Sequence, residues 1–308
     1  MIKKLNFAPF TEFWLSCTVN DLLSIVLSRE PSYYSYLLVN SYNYLVSVKD
    51  FNLRSISIVG NQDFYTRLSS FSAYSNIELK GENLVEELKS LIDENKIIYV
   101  LIDSYYWLED RVDFNLEHTE HYQMMTGYDT SKEIFYFFGD TFKGYGENEV
   151  SYKKLKDAIV LNSEQSTLLD IHVPEQLPKY ELDIKDVIRF SVDILTQISE
   201  YSGMTYWEGN YNIAHSFYLI TKIEERHKAN IKLFMYLQKL GNLSESSSNQ
   251  LIKTENNLYK NWNLTKMHFM KSFYGNIQPD FDTINNLIGS CLINESVMWN
   301  HFLLSVKT

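Results

Sequence analysis

At residues 172–183, HVPEQLPKYELD, the chain changes texture. The stretch holds two of the five prolines. Proline fixes φ and removes a backbone donor, so the stretch reads as a linker. Beyond it, helical apolar spacing runs over 183–201, 211–240, 247–275 and 281–305. Gly203, Gly241 with Asn242, and Gly275 with Pro279 punctuate these patterns. Before the linker, strand-like and helical stretches alternate. The expectation is an α+β chain with a mixed domain over 1–175 and an all-helical bundle over 180–308. A length of 308 residues accommodates both.

Within the first half, Val19, Leu22, Leu23, Val26 and Leu27 set a helical rhythm that Pro31 closes. SYLLVNSYNYLVSV (35–48) and RSISIVG (54–60) have strand-like composition, the former compatible with helix as well. ENLVEELKSLIDENK (82–96) is amphipathic, with Leu84, Val85, Leu88, Leu91 and Ile92 on one side. It leads into IIYVLIDSYYW (97–107), whose unbroken apolar run predicts a buried strand. In EHTEHYQMMTGYDTSKEIFYFFGD (117–140), two β-prone runs flank a turn-like GYDTSK, which predicts a hairpin. VSYKKLKDAIV (150–160) reads as a helix or a strand passing into one.

The totals narrow the function. A net charge of −11 disfavours binding to nucleic-acid phosphates and to anionic lipid surfaces. No run approaches ~18 apolar residues, so no membrane span is expected. The opening MIKKLNFAPFTEFWLS lacks the apolar core of a signal peptide. Cys17 and Cys291 are the two cysteines, too few for a disulfide framework, so a reducing, cytoplasmic setting is the expectation.

Chemistry concentrates on the hairpin and on Cys17. With a loop of Asp129–Lys132, Tyr128 pairs with Glu133, and the same register sets His121 opposite Asp140, Cβ atoms ~5 Å apart. A carboxylate beside an imidazole fixes its tautomer and stabilises its charged form. The other ring nitrogen then serves a third group. Cys17 stands where a helix begins, and the positive end of a helix dipole favours the thiolate. The chain order Cys, His, Asp is that of nucleophile, base and orienting group in papain-like enzymes.

HYQMMTGYDTSKEIFYFFGD (121–140) resembles the His-strand, Gly-Tyr-Asp turn and Asp-strand of C39-like cysteine peptidase folds. IIYVLIDSYYW is similar to a segment found in the family of butirosin biosynthesis protein H. The resemblance covers roughly residues 10–160. It implies a papain-like (C39-like) N-terminal domain followed by a C-terminal all-helical domain. It further implies an acyltransferase that moves an acyl or aminoacyl group from a phosphopantetheine thioester to an amine. Cys17, His121 and Asp140 match the triad positions one by one. The implied partners are an acyl or peptidyl carrier protein and a small-molecule amine. No cofactor is implied beyond the phosphopantetheine arm on the carrier, and the product is an amide in a specialised metabolite such as a peptide-like antibiotic. The sequence departs from the pattern at Thr141, where many relatives have proline, and upstream of Cys17, where no glutamine stands to bind the oxyanion. Asn6, Thr11, Ser16 or backbone amides are the alternatives there.

Other residues read more plainly. Cys291 is expected in the core. His118 and His121, beside Glu117 and Glu120, have a His-x-x-His spacing seen in zinc sites, but a third and fourth ligand are not evident, so no metal is expected and His118 reads as solvated. His215, His227, His268 and His301 fall in helical patterns as surface or satisfied core histidines. EERHK (224–228) and SYKKLK (151–156) read as solvated faces and as candidate docking patches for an acidic carrier. A thioesterase or peptidase of the same fold, and a non-catalytic binding protein, are the competing expectations.

Overall fold

The structure, a computed structural model, describes residues 1–39, 42–49, 53–60, 66, 69–78, 83–109, 114–115, 118–141, 144–160, 166–201, 204–207 and 213–307. The chain divides into two compact units, Met1–Pro31 with Thr66–Pro178, and Ser32–Tyr65 with Lys179–Thr308. The later switch between units falls inside the proline-bearing stretch 172–183. The division departs from the expected 1–175 and 180–308 because Ser32–Tyr65 belongs to the second unit.

The first unit is built on an antiparallel sheet. Its strands are β1 (Ile2–Lys4), β4 (Ala73–Ile77), β5 (Ile98–Asp103), β6 (Glu120–Asp129), β7 (Ile134–Thr141), β8 (Gly144–Ser151) and β9 (Leu168–His172). The sheet order is β4-β9-β5-β6-β7-β8, with β1 paired to the end of β6. Helix α1 (Cys17–Arg29) lies on one face; α3 (Leu84–Asp93) and α4 (Tyr152–Ala158) lie on the other. The α3 and α4 face is sealed by Leu88, Ile92 and Leu155 against Ile98, Val100 and Ile102 of β5, Met125 of β6 and Phe137 of β7. Strand β5 is buried on both faces from Ile98 to Ile102, which accounts for its unbroken apolar run.

The β6–β7 hairpin forms, but in another register. Asp129 pairs with Ile134, so the connection runs one residue later than expected. A bulge between Met125 and Gly127 then shifts the ladder again, leaving Met125 opposite Phe137 and Met124 opposite Phe138. Gly127 is required where β1 crosses: a Cβ there would lie 2.4 Å from the Lys3 carbonyl oxygen.

The second unit holds α2 (Tyr33–Val39), the hairpin of β2 (Tyr42–Lys49) and β3 (Leu53–Gly60), and four long helices. These are α5 (Ile184–Tyr201), α6 (Ile213–Lys239), α7 (Glu245–Gly275) and α8 (Phe281–Ser305), close to the helical patterns read from sequence. Ile194, Ile220, Leu233, Leu258, Trp262, Ile288 and Trp299 form its interior. Tyr42 and Tyr44 of β2 donate to the two oxygens of buried Glu295 on α8, at 2.7 and 2.6 Å. Those bonds explain why a segment from the first sixty residues folds with the C-terminal helices.

Candidate active site

The approach to Cys17 is set by one buried amide. Asn20 Oδ1 accepts from the Leu15 and Ser16 amides at 2.9 and 3.4 Å, and its Nδ2 donates to the Phe10 and Phe13 carbonyls at 3.0 and 3.1 Å. Ser24 adds a hydroxyl that accepts from the Phe10 amide. The loop is thereby folded back onto the helix it precedes. Ser16, in extended backbone, is the N-cap of α1 and accepts from the Val19 amide at 3.3 Å. Cys17 is therefore the first helical residue, where the helix dipole favours negative charge.

The thiol of Cys17 donates to Asp140 Oδ2 at 2.6 Å, and the Trp14 indole donates to the same oxygen at 3.1 Å. Cys17, Trp14 and Asp140 are all half-buried. Asp140 pairs across the β7–β8 ladder with Tyr145. One turn along α1 from Cys17 stands Asp21, buried at 2% exposure. Its Oδ1 accepts from the Tyr145 hydroxyl at 2.6 Å and its Oδ2 from Tyr99 of β5 at 3.0 Å. Burial pushes the Asp21 carboxyl up to about 7; the Tyr145 and Tyr99 hydrogen bonds oppose that rise and the charge of Asp140 adds to it. The same burial, with Asp21 alongside, pushes the Tyr99 and Tyr145 phenols well above their usual range.

The raised Asp21 value has a sign that denaturation can check. A carboxyl that holds its proton more tightly when folded contributes stability below its unfolded value of 3.8, and that contribution is lost as pH rises through about 7. The first unit is therefore expected to unfold more easily at pH 8 than at pH 5. Asp21→Asn removes that pH dependence and is expected to stabilise the unit at pH 8 by up to about 4 kcal/mol, read from urea midpoints at the two pH values.

The structure brings Cys17 and Asp140 together and sets His121 apart from Asp140. Carried past Phe138 at the observed register, Asp140 falls level with Tyr122, not His121. Tyr122 shares the α1 face with Tyr99, their rings 6.1 Å apart. His121 pairs with Ile102 and alternates onto the opposite face with Gln123, whose Oε1 occupies the space a Cβ on Gly139 would need. The direct cross-strand His121–Asp140 pair expected from an Asp129–Lys132 loop is thus not formed, because one added residue in a strand exchanges its faces. His121 Nε2 is shielded from solvent.

The remaining candidates sort as follows. His118 is exposed, yet its Nδ1 lies 2.6 Å from Asp103 Oδ2 and its ring stacks on Tyr105 at 4.2 Å. Glu117 lies outside the described residues, as does the His215 side chain. Of the oxyanion alternatives, the Ser16 hydroxyl is engaged as the helix cap, and Asn6 and Thr11 are exposed. Cys291 is fully buried, and burial pushes its thiol up.

The segment EERHK is not a solvated face. Glu224, Glu225, Arg226 and His227 are buried, His227 Nδ1 lies 2.7 Å from Glu255, and Lys228 and Lys266 bind Glu225 and Glu224. Arg226 is buried, and His227 and Lys228 are tied to Glu255 and Glu225, so the segment does not present a free cationic face for docking. In SYKKLK, Lys153 and Lys156 remain exposed. Among the described residues no group of three or more His, Cys, Asp and Glu is placed to hold a metal ion, and no helix is long and apolar enough to cross a membrane.

Trp14, Asn20, Asp21, Tyr99 and Tyr145 were not among the residues picked out from sequence. The signal that could have found two of them is a polar pair, Asn20–Asp21, set between the apolar Val19 and Leu22 of α1. No protein-family model matches the chain, and no curated protein matches it.

Proposed function

We propose that the chain is a cysteine acyltransferase of papain-like type, with Cys17 as nucleophile and Asp140 as its immediate proton acceptor. The observation that carries this reading is the half-exposed thiol at the first residue of α1, bonded at 2.6 Å to a carboxylate on the sheet beneath it. The sulfur attacks the carbonyl of a phosphopantetheine thioester as its proton passes to Asp140 Oδ2. The carbon–sulfur bond to pantetheine breaks, and the departing thiolate takes that proton. An amine then attacks the Cys17 acyl-enzyme, its proton passes through Asp140 to the Cys17 sulfur, and the amide leaves. Each step exchanges one acyl bond for another of equal or lower energy, so no ATP enters here.

A carboxylate is a weaker base than an imidazole, so proton transfer accompanies attack rather than preceding it. Trp14, donating to the same oxygen, keeps the carboxylate aimed at the sulfur. The acyl donor is a carrier-protein thioester.

Two consequences follow from contact geometry. Asp140→Asn is expected to lower turnover more than His121→Ala, by on the order of 10²-fold against less than about tenfold. The same Asp140→Asn change removes a negative charge beside the sulfur, so iodoacetamide labelling of Cys17 rises while turnover falls. Steady-state assays with an acyl-carrier thioester and an amine, run beside labelling rates, test both. Release of free acid with and without amine would make the enzyme a hydrolase instead.

The placement of His121 on the opposite face favours one second reading, a binding protein that keeps the fold without turnover. Labelling of Cys17 no faster than a peptide thiol, with no acyl transfer, would support it.

A further inference from the structure

We propose that Asp21, held between Tyr99 and Tyr145, is a positioning residue whose ionisation sets the reactivity of the Cys17 thiol. This deepens the reading of Cys17 as nucleophile and rests on it. The geometry is a closed circuit. Cys17 bonds Asp140; Asp140 is the cross-strand neighbour of Tyr145; Tyr145 bonds Asp21; and Asp21 lies four residues along α1 from Cys17, on the same helix face. Tyr99 from β5 closes the other side of the carboxyl.

The described groups that act on Asp21 are Tyr99 from β5, Asp140 from β7 and Tyr145 from β8; Cys17 stands one turn away on its own helix, and Tyr74 acts on Tyr99. All of these are neutral or acidic, so an ionised Asp21 meets hydrogen-bond donors but no balancing cation among them. Protonated, Asp21 leaves the sulfur facing a single carboxylate, Asp140. Ionised, it adds a second negative charge ~6 Å away through a poorly solvated interior and holds back the thiolate. Its burial places that change near neutral pH, where acyl transfer to an amine also needs the amine deprotonated. The thiol is thus most easily activated on the acid side of the range in which the acceptor becomes nucleophilic.

The test is the rate of Cys17 alkylation by iodoacetamide in the full-length protein from pH 5.5 to 9.5, followed by peptide mass spectrometry. In the parent the rate is expected to climb with pH, flatten near neutrality and climb again. Asp21→Asn, which keeps a carbonyl acceptor between the two phenols, is expected to give a single smooth rise and about tenfold faster labelling at pH 8.5 than the parent. Tyr145→Phe removes a donor that favours the ionised carboxyl, so the flattening moves to higher pH. A purely structural role for Asp21 would scale the rate by one factor at every pH. Superimposable parent and Asp21→Asn profiles, or profiles differing by a pH-independent factor, overturn the proposal. Because the probe is a small alkylating agent, failure to transfer acyl groups would count against the acyltransferase reading and leave this profile as an independent result.

Discussion

Cys17→Ala is expected to abolish transfer of an acyl group from a carrier-protein thioester, with loss of at least about 10³-fold in kcat, while the protein stays folded. Both halves of that expectation come from where the residue sits. In the proposed function its sulfur forms the acyl-enzyme; the other thiol, Cys291, is fully buried in the second unit. Orientation of donor and acceptor by the surrounding groups survives the substitution and sets the small residual rate. Stability is expected to change by less than about 1 kcal/mol, because Cys17 is half-exposed and the Ser16 cap and the Asn20 amide fold the loop without it. Unchanged circular dichroism with lost turnover is the expected pair of readings. Retained turnover would remove the covalent step.

The largest loss of stability is expected at Glu295→Ala. Glu295 is fully buried and accepts three hydrogen bonds, from the Tyr42 and Tyr44 hydroxyls and from the Trp299 indole at 3.2 Å. Its neighbourhood is one continuous polar network. Asn230 donates to Tyr42 and to Glu255, and Glu255 meets His227. Burial and the negative charge of Glu295 push both phenols well above their usual range, so they remain donors. Deleting the carboxylate strands two buried hydroxyls and a buried indole. At about 1–3 kcal/mol for each stranded group, and with incomplete additivity, the expected loss is roughly 4 kcal/mol. Glu295→Gln keeps one carbonyl acceptor and is expected to lose about half as much. Denaturant midpoints for the helical unit read both. A loss below about 1 kcal/mol for Glu295→Ala would mean the tyrosines of β2 do not anchor the hairpin through this residue.

The comparison of sequence with structure turns on how much a local pattern can carry. The long helices were legible because a 3.6-residue period over two dozen residues leaves little else for 213–239 or 281–305 to form. The β6–β7 hairpin was legible from its turn residues, but its register was not. Gln123 to Asp129 are buried in succession, so alternation of polarity says nothing about which face each side chain takes. The bulge before Gly127 left a single trace in the sequence, the glycine itself. The later connection and the bulge together decide whether His121 joins Asp140, and periodicity reports neither.

Charge misled in the same way at EERHK, since charged runs are usually solvated, whereas Glu224 and His227 find partners on a neighbouring helix that no spacing reveals. The assignment of Ser32–Tyr65 to the helical unit was hidden for a related reason. It depends on Glu295, some 250 residues away in the chain. At the candidate site, Cys17 stood out from helix-start chemistry and Asp140 as the expected partner of His121; the Cys17–Asp140 contact itself was not legible. Trp14, Asp21, Tyr99 and Tyr145 were not, because indoles and phenols in a sheet-rich unit look like packing until the carboxylate they bind is located.

Intact mass spectrometry of the full-length protein after mixing with acyl-loaded carrier protein addresses the nucleophile directly. The expected result is a mass increase equal to one acyl group, mapped to Cys17, discharged by amine and absent from Cys17→Ala. A folded parent protein that gains no mass from any carrier thioester, or that gains it at a residue other than Cys17, would contradict the assignment of this thiol as the acyl carrier.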